Sequence, residues 1–395
     1  MKPRILHITA DPLNANAGKQ LLLLAQGLPR DQFDLHICLL DGIAGRNGYT
    51  RRHDHACVAM SGAIGILPVS GATCVSPASS STAVPVTVIS TRWKYDPRSF
   101  WELKRLIGRF QPDLIHAWTS DANVYGLAAS KTTGVSRFVA GYGRVDPFKS
   151  GPRLAIERYI GKHCARLTAN SVGVRDFYIH RGLPAEKFLV IPGGVQPSQP
   201  TKTTRRQLLA ELRIPENHHI IGLVGGLLLR NRIKDAIWAA DLLKVVRKDV
   251  HLLIIGDGPH REQLRRFRDQ VRIADFVHFL GLRGDLPRLT PHFDMLWSTS
   301  PQEDQSCIIL EAMAAGVAVV ACDAPGTRDL VLHSQTGFLV PIGDRTGFAR
   351  HAHQLFEDPA FSRRLGQAAA QRARFEFSPE KMISSYAELY QQILG

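Results

Sequence analysis

No run of this 395-residue sequence is both long and apolar enough to cross a membrane. The longest uncharged stretch lies around residues 56–91, and Pro68, Pro77, Pro85 and many serines interrupt it, which excludes a spanning helix. The opening MKPRILHITADP is a basic pair followed by a short strand-like run, too brief for a secretory leader. Cysteines are few and scattered: Cys38, Cys57, Cys74, Cys164, Cys307 and Cys322 form no C-x-x-C pair and have no metal-ligand spacing with histidine. A disulfide scaffold and a zinc module are thereby set aside, and the thiols read as reduced, mostly buried and cytosolic. No G-x-G-x-x-G follows the first apolar run, which argues against an NAD-dependent dehydrogenase.

Acidic residues are also in deficit, 35 against 49 Lys and Arg, for a net charge of +14. The excess is N-terminal, with 24 cations against 13 acids in residues 1–198 and 25 against 22 in residues 199–395. Such a field suits anionic partners, whether a phosphorylated substrate or an acidic membrane, and equally a merely soluble basic surface. Nucleic acid is not expected, because the cations fall in no recognisable motif and no aromatic stacking series accompanies them.

What is present is an ordinary globular composition, 44% hydrophobic and 21% charged, over a length that outgrows one core. Two domains are expected. Short β-rich runs alternate with helical patterns throughout: RILHIT from Arg4, FDLHICLL from Phe33, VTVIS from Val86, DLIHAWT from Asp113, RFVAGY from Arg137 and FLVIP from Phe188. HHIIGLVG from His218, HLLIIGDG from His251, FVHFLG from Phe276, FDMLWSTS from Phe293 and VAVVACD from Val317 repeat the rhythm. Alternation with nearly continuous apolar strands predicts an α/β protein with parallel sheets covered on both faces. The Pro, Gly, Ser and Thr of residues 191–204 read as a linker, and residues 42–85 as a long surface excursion. The expected organisation is a first domain over 1–195, a second over 196–377, and a C-terminal helix over 378–395 that is free to cross back to the first. Ser378 would cap that helix, Pro379 would begin it, and Met382, Tyr386 and Leu389 would form its buried face.

The sharpest local signal is EDQSCIILEAMAAG, directly after the strand from Phe293. With Ser306 as N-cap, Glu303 falls in the loop at the strand's carboxyl end and Glu311 about one and a half turns into the helix. Doubly wound sheets bind ligands at that edge. Two carboxylates there accept hydrogen bonds from sugar or ribose hydroxyls, and the helix N-terminus favours phosphate. The plainer alternative is an acidic loop and a solvated helix residue.

The run SPQEDQSCIILEAMAAGVAVVACDAPGTRDLV resembles the signature of retaining glycosyltransferase family 4. HLLIIGDGPHREQL, TGFLVPIGDR, PDLIHAWTSDANVYG and NSVGVRDFYIHRGLPAEKFLVIPGGV resemble further family motifs in the family's order, so the resemblance spans nearly the whole chain. It implies a GT-B fold, two Rossmann-like domains facing an interdomain cleft. It also implies transfer of a sugar from a nucleoside diphosphate sugar to a hydroxyl of a glycan or lipid-linked acceptor, with retention of configuration and with neither metal nor cofactor. By the same resemblance Glu303 meets donor-sugar hydroxyls and Glu311 the ribose. The amides of Gln305 and Ser306 bind sugar or phosphate, Gly256, Asp257 and Gly258 turn the chain beneath the base, and Gly18 belongs to the loop at the first helix. His116 would face the cleft as general base or hydrogen-bond donor, with a packed structural histidine as the alternative reading.

The pattern also breaks. In LVGGLLLRNRIKDAIWAA, Gly225 keeps the turn, but Gly226 stands where the family has a diphosphate-binding arginine and Asn231 where it has a lysine. Arg230, Arg232 and Lys234 are nearby candidates to replace them in the donor site. Asp304 follows Glu303 in place of the customary glycine, only Gly18 remains of the usual Gly-Gly-Ala loop, and Gly193 replaces an asparagine at the start of the linker. Two functions therefore remain in view, a transferase with an altered donor site and a catalytically silent homologue acting as a binding or scaffold protein. Finally, residues 93–110 combine tryptophans and phenylalanines with Lys94, Arg98, Lys104, Arg105 and Arg109. This suits a cytoplasmic protein touching the inner, anionic face of a membrane, or a surface helix with its aromatic face in the core.

Overall fold

The computed structural model describes residues 2–13, 15–42, 84–147, 149–198, 204–301 and 306–395. The surface excursion read over 42–85 lies almost wholly outside these, as do Cys57, Cys74, Glu303, Asp304 and Gln305. The chain divides into two compact units, Met1–Gly194 with Pro379–Gly395, and Val195–Ser378.

The first unit is built on a seven-stranded parallel sheet. Its strands are β1 (Arg4–Thr9), β2 (Asp34–Asp41), β3 (Val86–Ser90), β4 (Leu114–Ala117), β5 (Phe138–Tyr142), β6 (Arg166–Ala169) and β7 (Phe188–Val190). Their order is β3-β2-β1-β4-β5-β6-β7, with every neighbour parallel. Sequence reading missed β6, whose four residues RLTA carry too little apolar signal. One layer against the sheet holds the helices Pro97–Phe110, Ser120–Thr133 and Gly151–His163, which bury Leu103, Ile107, Ala122, Tyr125 and Ile160. Asp96 and Thr119 cap the first two by accepting from the backbone amides of Arg98 and Ala122. A second core joins Leu21 and Leu24 of the helix Asn16–Gly27 to Met382, Tyr386, Leu389 and Tyr390 of the helix Pro379–Leu394. The last helix thus packs into the first unit, its 3.6-residue spacing setting the large side chains on one stripe.

The second unit repeats the plan with β8 (His219–Val224), β9 (Val250–Ile255), β10 (Val277–Gly281), β11 (Met295–Ser298), β12 (Ala318–Cys322) and β13 (Gly337–Val340). The parallel order is β10-β9-β8-β11-β12-β13. The strands read from the sequence end at β12 and do not include β13. Strand order reverses between β8 and β11, so the crevice at their carboxyl ends is where a doubly wound sheet binds ligand.

Candidate functional site

The loop after β8 and the turn after β9 interlock. The amide of Gly225 donates to the Ile255 carbonyl at 3.0 Å, and that of Leu227 to the Asp257 carbonyl at 3.0 Å. Gly256 has φ +141°, and a Cβ there would stand 2.0 Å from the Gly225 oxygen; one at Gly258 would stand 2.6 Å from the Leu227 oxygen. The Gly-Asp-Gly turn is therefore demanded by backbone packed against backbone. Asp257 accepts from the Gly258 amide at 2.8 Å and faces an Arg261 nitrogen at 3.5 Å.

Asn231 ties this loop across the switch point. Its Nδ2 donates to the Gly226 carbonyl at 2.7 Å, and its Oδ1 accepts from the Ser300 hydroxyl at 3.3 Å. Its carbonyl accepts from the Thr299 hydroxyl at 2.8 Å. Thr299 and Ser300 are buried just beyond β11. Next along the chain come Ser306, also buried, and the helix Cys307–Ala314, for which Ser306 occupies the N-cap position without a side-chain capping bond. Glu311 lies in the second turn of that helix, half-buried. Gly225, Gly256, Asp257, Ser306 and Glu311 thus lie at one sheet edge, the carboxyl ends of β8, β9 and β11.

The candidate replacement cations behave differently. Arg232, held at φ +52°, points its guanidinium at Asp235, with Nε and Nη2 each 2.6 Å from Oδ2. Asp235 is buried and also accepts from Arg345 Nε at 2.8 Å, clamping the β8 loop to the residues after β13. Lys234 is exposed, with its ammonium 4.4 Å from the centroid of the Phe267 ring. Arg232 is thus paired with a carboxylate, and Lys234 lies beside an aromatic ring. Sequence reasoning missed Asp235, Thr299, Ser300 and Arg345; the three-residue spacing of Arg232 and Asp235 was the one local hint. Among the described residues no three His, Cys, Asp or Glu side chains cluster as metal ligands.

In the first unit, a Cβ at Gly18 would stand 2.2 Å from the Pro12 oxygen, so this glycine lets the helix Asn16–Gly27 start hard against the loop after β1. His116 lies inside the first unit. It is 0% exposed, directly across from His7 in the β1–β4 pairing, and its Nδ1 lies 2.7 Å from the Tyr390 hydroxyl. Its Nε2 is 3.5 Å from the Thr168 hydroxyl, and Trp118 and Tyr386 flank the ring. Burial, then the neighbouring His7, holds its pKa well below the ordinary value. Burial also lowers that of His7 to about 3, with Arg30 adding to the shift. The geometry is that of the packed structural histidine: in this unit the ring has no exposed edge to offer a substrate. The helix Pro379–Leu394 supplies its partners, 274 residues away for Tyr390, which no local pattern reveals.

Similarity to known proteins bears on both units. The family described as glycosyl transferases group 1 matches residues 204–372, and glycosyltransferase family 4 matches residues 17–199. N-acetyl-alpha-D-glucosaminyl L-malate synthase of Bacillus anthracis is 31% identical over 194 residues, 49% of this chain and 50% of that protein, so the match spans half of that relative's length. The lipopolysaccharide core biosynthesis glycosyltransferase LpsD of Rhizobium meliloti (strain 1021) is 23% identical over 73% of this chain and 78% of its own. The crystal structure of Anabaena HepE in complex with UDP and glucose superposes with a TM-score of 0.82 at 22% identity, covering 99% of this chain and 100% of that one, a likeness of fold.

Proposed function

We propose, from the premise that this chain belongs to the family 4 glycosyltransferases, that it moves a sugar from a nucleoside diphosphate sugar to a hydroxyl of a glycan or lipid-linked acceptor with retention of configuration. The observation that carries the donor assignment is the meeting of Glu311, the Asn231-closed loop and the N-terminus of the helix Cys307–Ala314 at the switch point of the second sheet. That HepE was crystallised with UDP and glucose supports uridine diphosphate as the first nucleotide to try. The name of LpsD supports a lipid-borne glycan as acceptor. The scaffold alternative has no support from these similarities.

In this reading Glu311 accepts hydrogen bonds from the ribose hydroxyls, and the amides at the head of its helix, beginning near Ser306, face the diphosphate. Glu303 and Gln305 are assigned to the donor sugar, and the interlocked Gly225, Gly256 and Asp257 backbone forms the floor under the base. The bond from the anomeric carbon to the diphosphate oxygen breaks with its electron pair leaving on the phosphate, and the acceptor oxygen bonds to the same face. Because the leaving oxygen lies on that face, it takes the acceptor's proton, and buried His116 is not required as base. Preorganised dipoles that stabilise the departing diphosphate supply the larger share of the acceleration.

Titration with UDP, GDP and ADP, followed by nucleoside diphosphate release across their sugars, tests the proposal. Binding of one nucleotide and its release from a sugar donor, both reduced at least tenfold in Glu311→Ala, are expected; a single lost hydrogen bond to a charged group, at about 1.5–3 kcal/mol, is worth that much. A folded protein that binds no nucleotide at millimolar concentration would overturn it.

A further inference from the structure

The helix Pro97–Phe110 has an inner face and an outer face of different chemistry. Ser99, Leu103 and Ile107 are buried, while Phe100 and Phe110 pack partly against the same core. The outer face exposes Arg98, Trp101, Glu102, Arg105 and Arg109, and exposed Trp93 lies just before the helix. Trp101 is 58% exposed and Trp93 46%. Exposed apolar residues grouped on a face rimmed by polar ones mark an interaction site, whereas single ones do not. The cations beside them are unspent: among the described residues Arg98, Arg105 and Arg109 make no ion pair, and Glu102 is the one acid on that face. Lys104 lies 5.3 Å from the centroid of the Trp101 ring, lining its stem along the aromatic surface.

A second exposed apolar pair extends this side of the unit. Asp121, at the head of the helix Ser120–Thr133, binds Lys94 at 2.7 Å and Arg153 at 3.1 Å, tying the approach to the first helix to the start of the helix Gly151–His163. That third helix exposes Ile156 and Tyr159 next to Arg158 and Lys162. The sequence left open whether the aromatic residues of 93–110 face core or solvent. The structure divides them, sending the phenylalanines inward and the tryptophans outward.

We propose that this outer face is a docking surface for an anionic lipid bilayer, on which Trp93 and Trp101 seat at the headgroup level while Arg98, Arg105 and Arg109 meet lipid phosphates. Tryptophan prefers that interface because its ring is amphipathic, and guanidinium groups pair with phosphate in a fork geometry. Leu103 and Ile107 keep the helix anchored in its own core, so docking needs no unfolding. The attraction belongs to the surface and is independent of the transfer reaction proposed above.

Vesicle co-sedimentation of the full chain tests it without any substrate. Phosphatidylcholine vesicles containing phosphatidylglycerol should bind the protein at low salt, pure phosphatidylcholine should bind it far less, and 1 M salt, with a Debye length of about 3 Å, should release it. Neutralising the charge in a triple variant, Arg98→Gln, Arg105→Gln and Arg109→Gln, should weaken binding by roughly a hundredfold, since each cation near the surface contributes about fivefold. Trp101→Ser alone should weaken it with no change in melting temperature, which keeps the test sound if the triple variant folds poorly. Absence of sedimentation, equal binding to both vesicle types, or binding unaltered in both variants would overturn the proposal. So would variant-sensitive binding to RNA or to an acidic peptide with none to vesicles.

Discussion

Asn231 donates its side-chain amide to the carbonyl of Gly226 at 2.7 Å, so the two positions at which the sequence departs from the motif it resembles are bonded to each other. A neutral bridge closes the loop after β8, and the Ser300 hydroxyl holds its other end to the strand across the switch point.

Removing that bridge should disturb donor binding before it disturbs the fold. In Asn231→Ala the Gly226 carbonyl and the buried Ser300 hydroxyl lose a partner, a cost of about 1–2 kcal/mol. Steady-state kinetics should show donor KM raised about tenfold with kcat changed less. An unaltered KM would mean that the bond serves packing alone.

Glycine 256 offers a test of the interlocked loops. Gly256→Ala puts a methyl group 2.0 Å from the Gly225 oxygen on a backbone at φ +141°, and about 2–4 kcal/mol of destabilisation is expected in urea titration. Gly134→Ala is the control: φ is +78° but nothing lies within 4 Å, so only the left-handed strain of about 1–2 kcal/mol applies. Equal losses in the two variants would refute close packing as the reason for Gly256.

Asp235 is the common acceptor of Arg232 and Arg345, and Asp235→Ala leaves two guanidinium groups facing each other. Both are more than a third exposed, so solvent screens part of the loss and about 1–2 kcal/mol is expected. The freed Arg232 would then be available to a diphosphate. Calorimetry should record UDP affinity unchanged or improved despite the lower melting temperature; a collapse of affinity would show instead that the clamp shapes the site.

Stability of the first unit should fall in acid. His7 is lowered to about 3 and His116 well below its ordinary value, each chiefly by burial. Between pH 6.5 and 3 the unfolded chain binds protons that the folded chain refuses, so unfolding free energy rises with pH. The contribution is fully present above pH 6.5 and drains as pH falls, by up to about 1.4 kcal/mol per pH unit for each histidine. Denaturant titrations from pH 7 to 5 should show this slope, and His116→Gln should flatten it. A slope of the opposite sign would contradict neutral, buried rings.

Sequence alone was enough for whatever depends on local pattern. Continuous apolar runs such as HLLII and AVVAC read as doubly covered parallel strands, and β9 and β12 are those strands. The stripe of Met382, Tyr386 and Leu389 identified the buried face of the last helix before its partner was known. The spacing of Ser306 and Glu311 put the carboxylate in the second turn of a helix at the carboxyl edge.

Tertiary structure alone decided whatever depends on where a side chain points and what it meets far along the chain. Nothing near residue 116 announces Tyr390, and only the return of the last helix into the first unit makes His116 an interior residue. Arg232 reads as an available cation until the fold brings Arg345 and Asp235 to it, 110 residues apart from each other. Asn231 reads as a missing lysine until the turn closes and its amide reaches Gly226. The physical reason is the same in each case: apolar periodicity is set by neighbours three, four or two residues away, whereas a polar group's role is set by the partner that satisfies it, and folding chooses that partner.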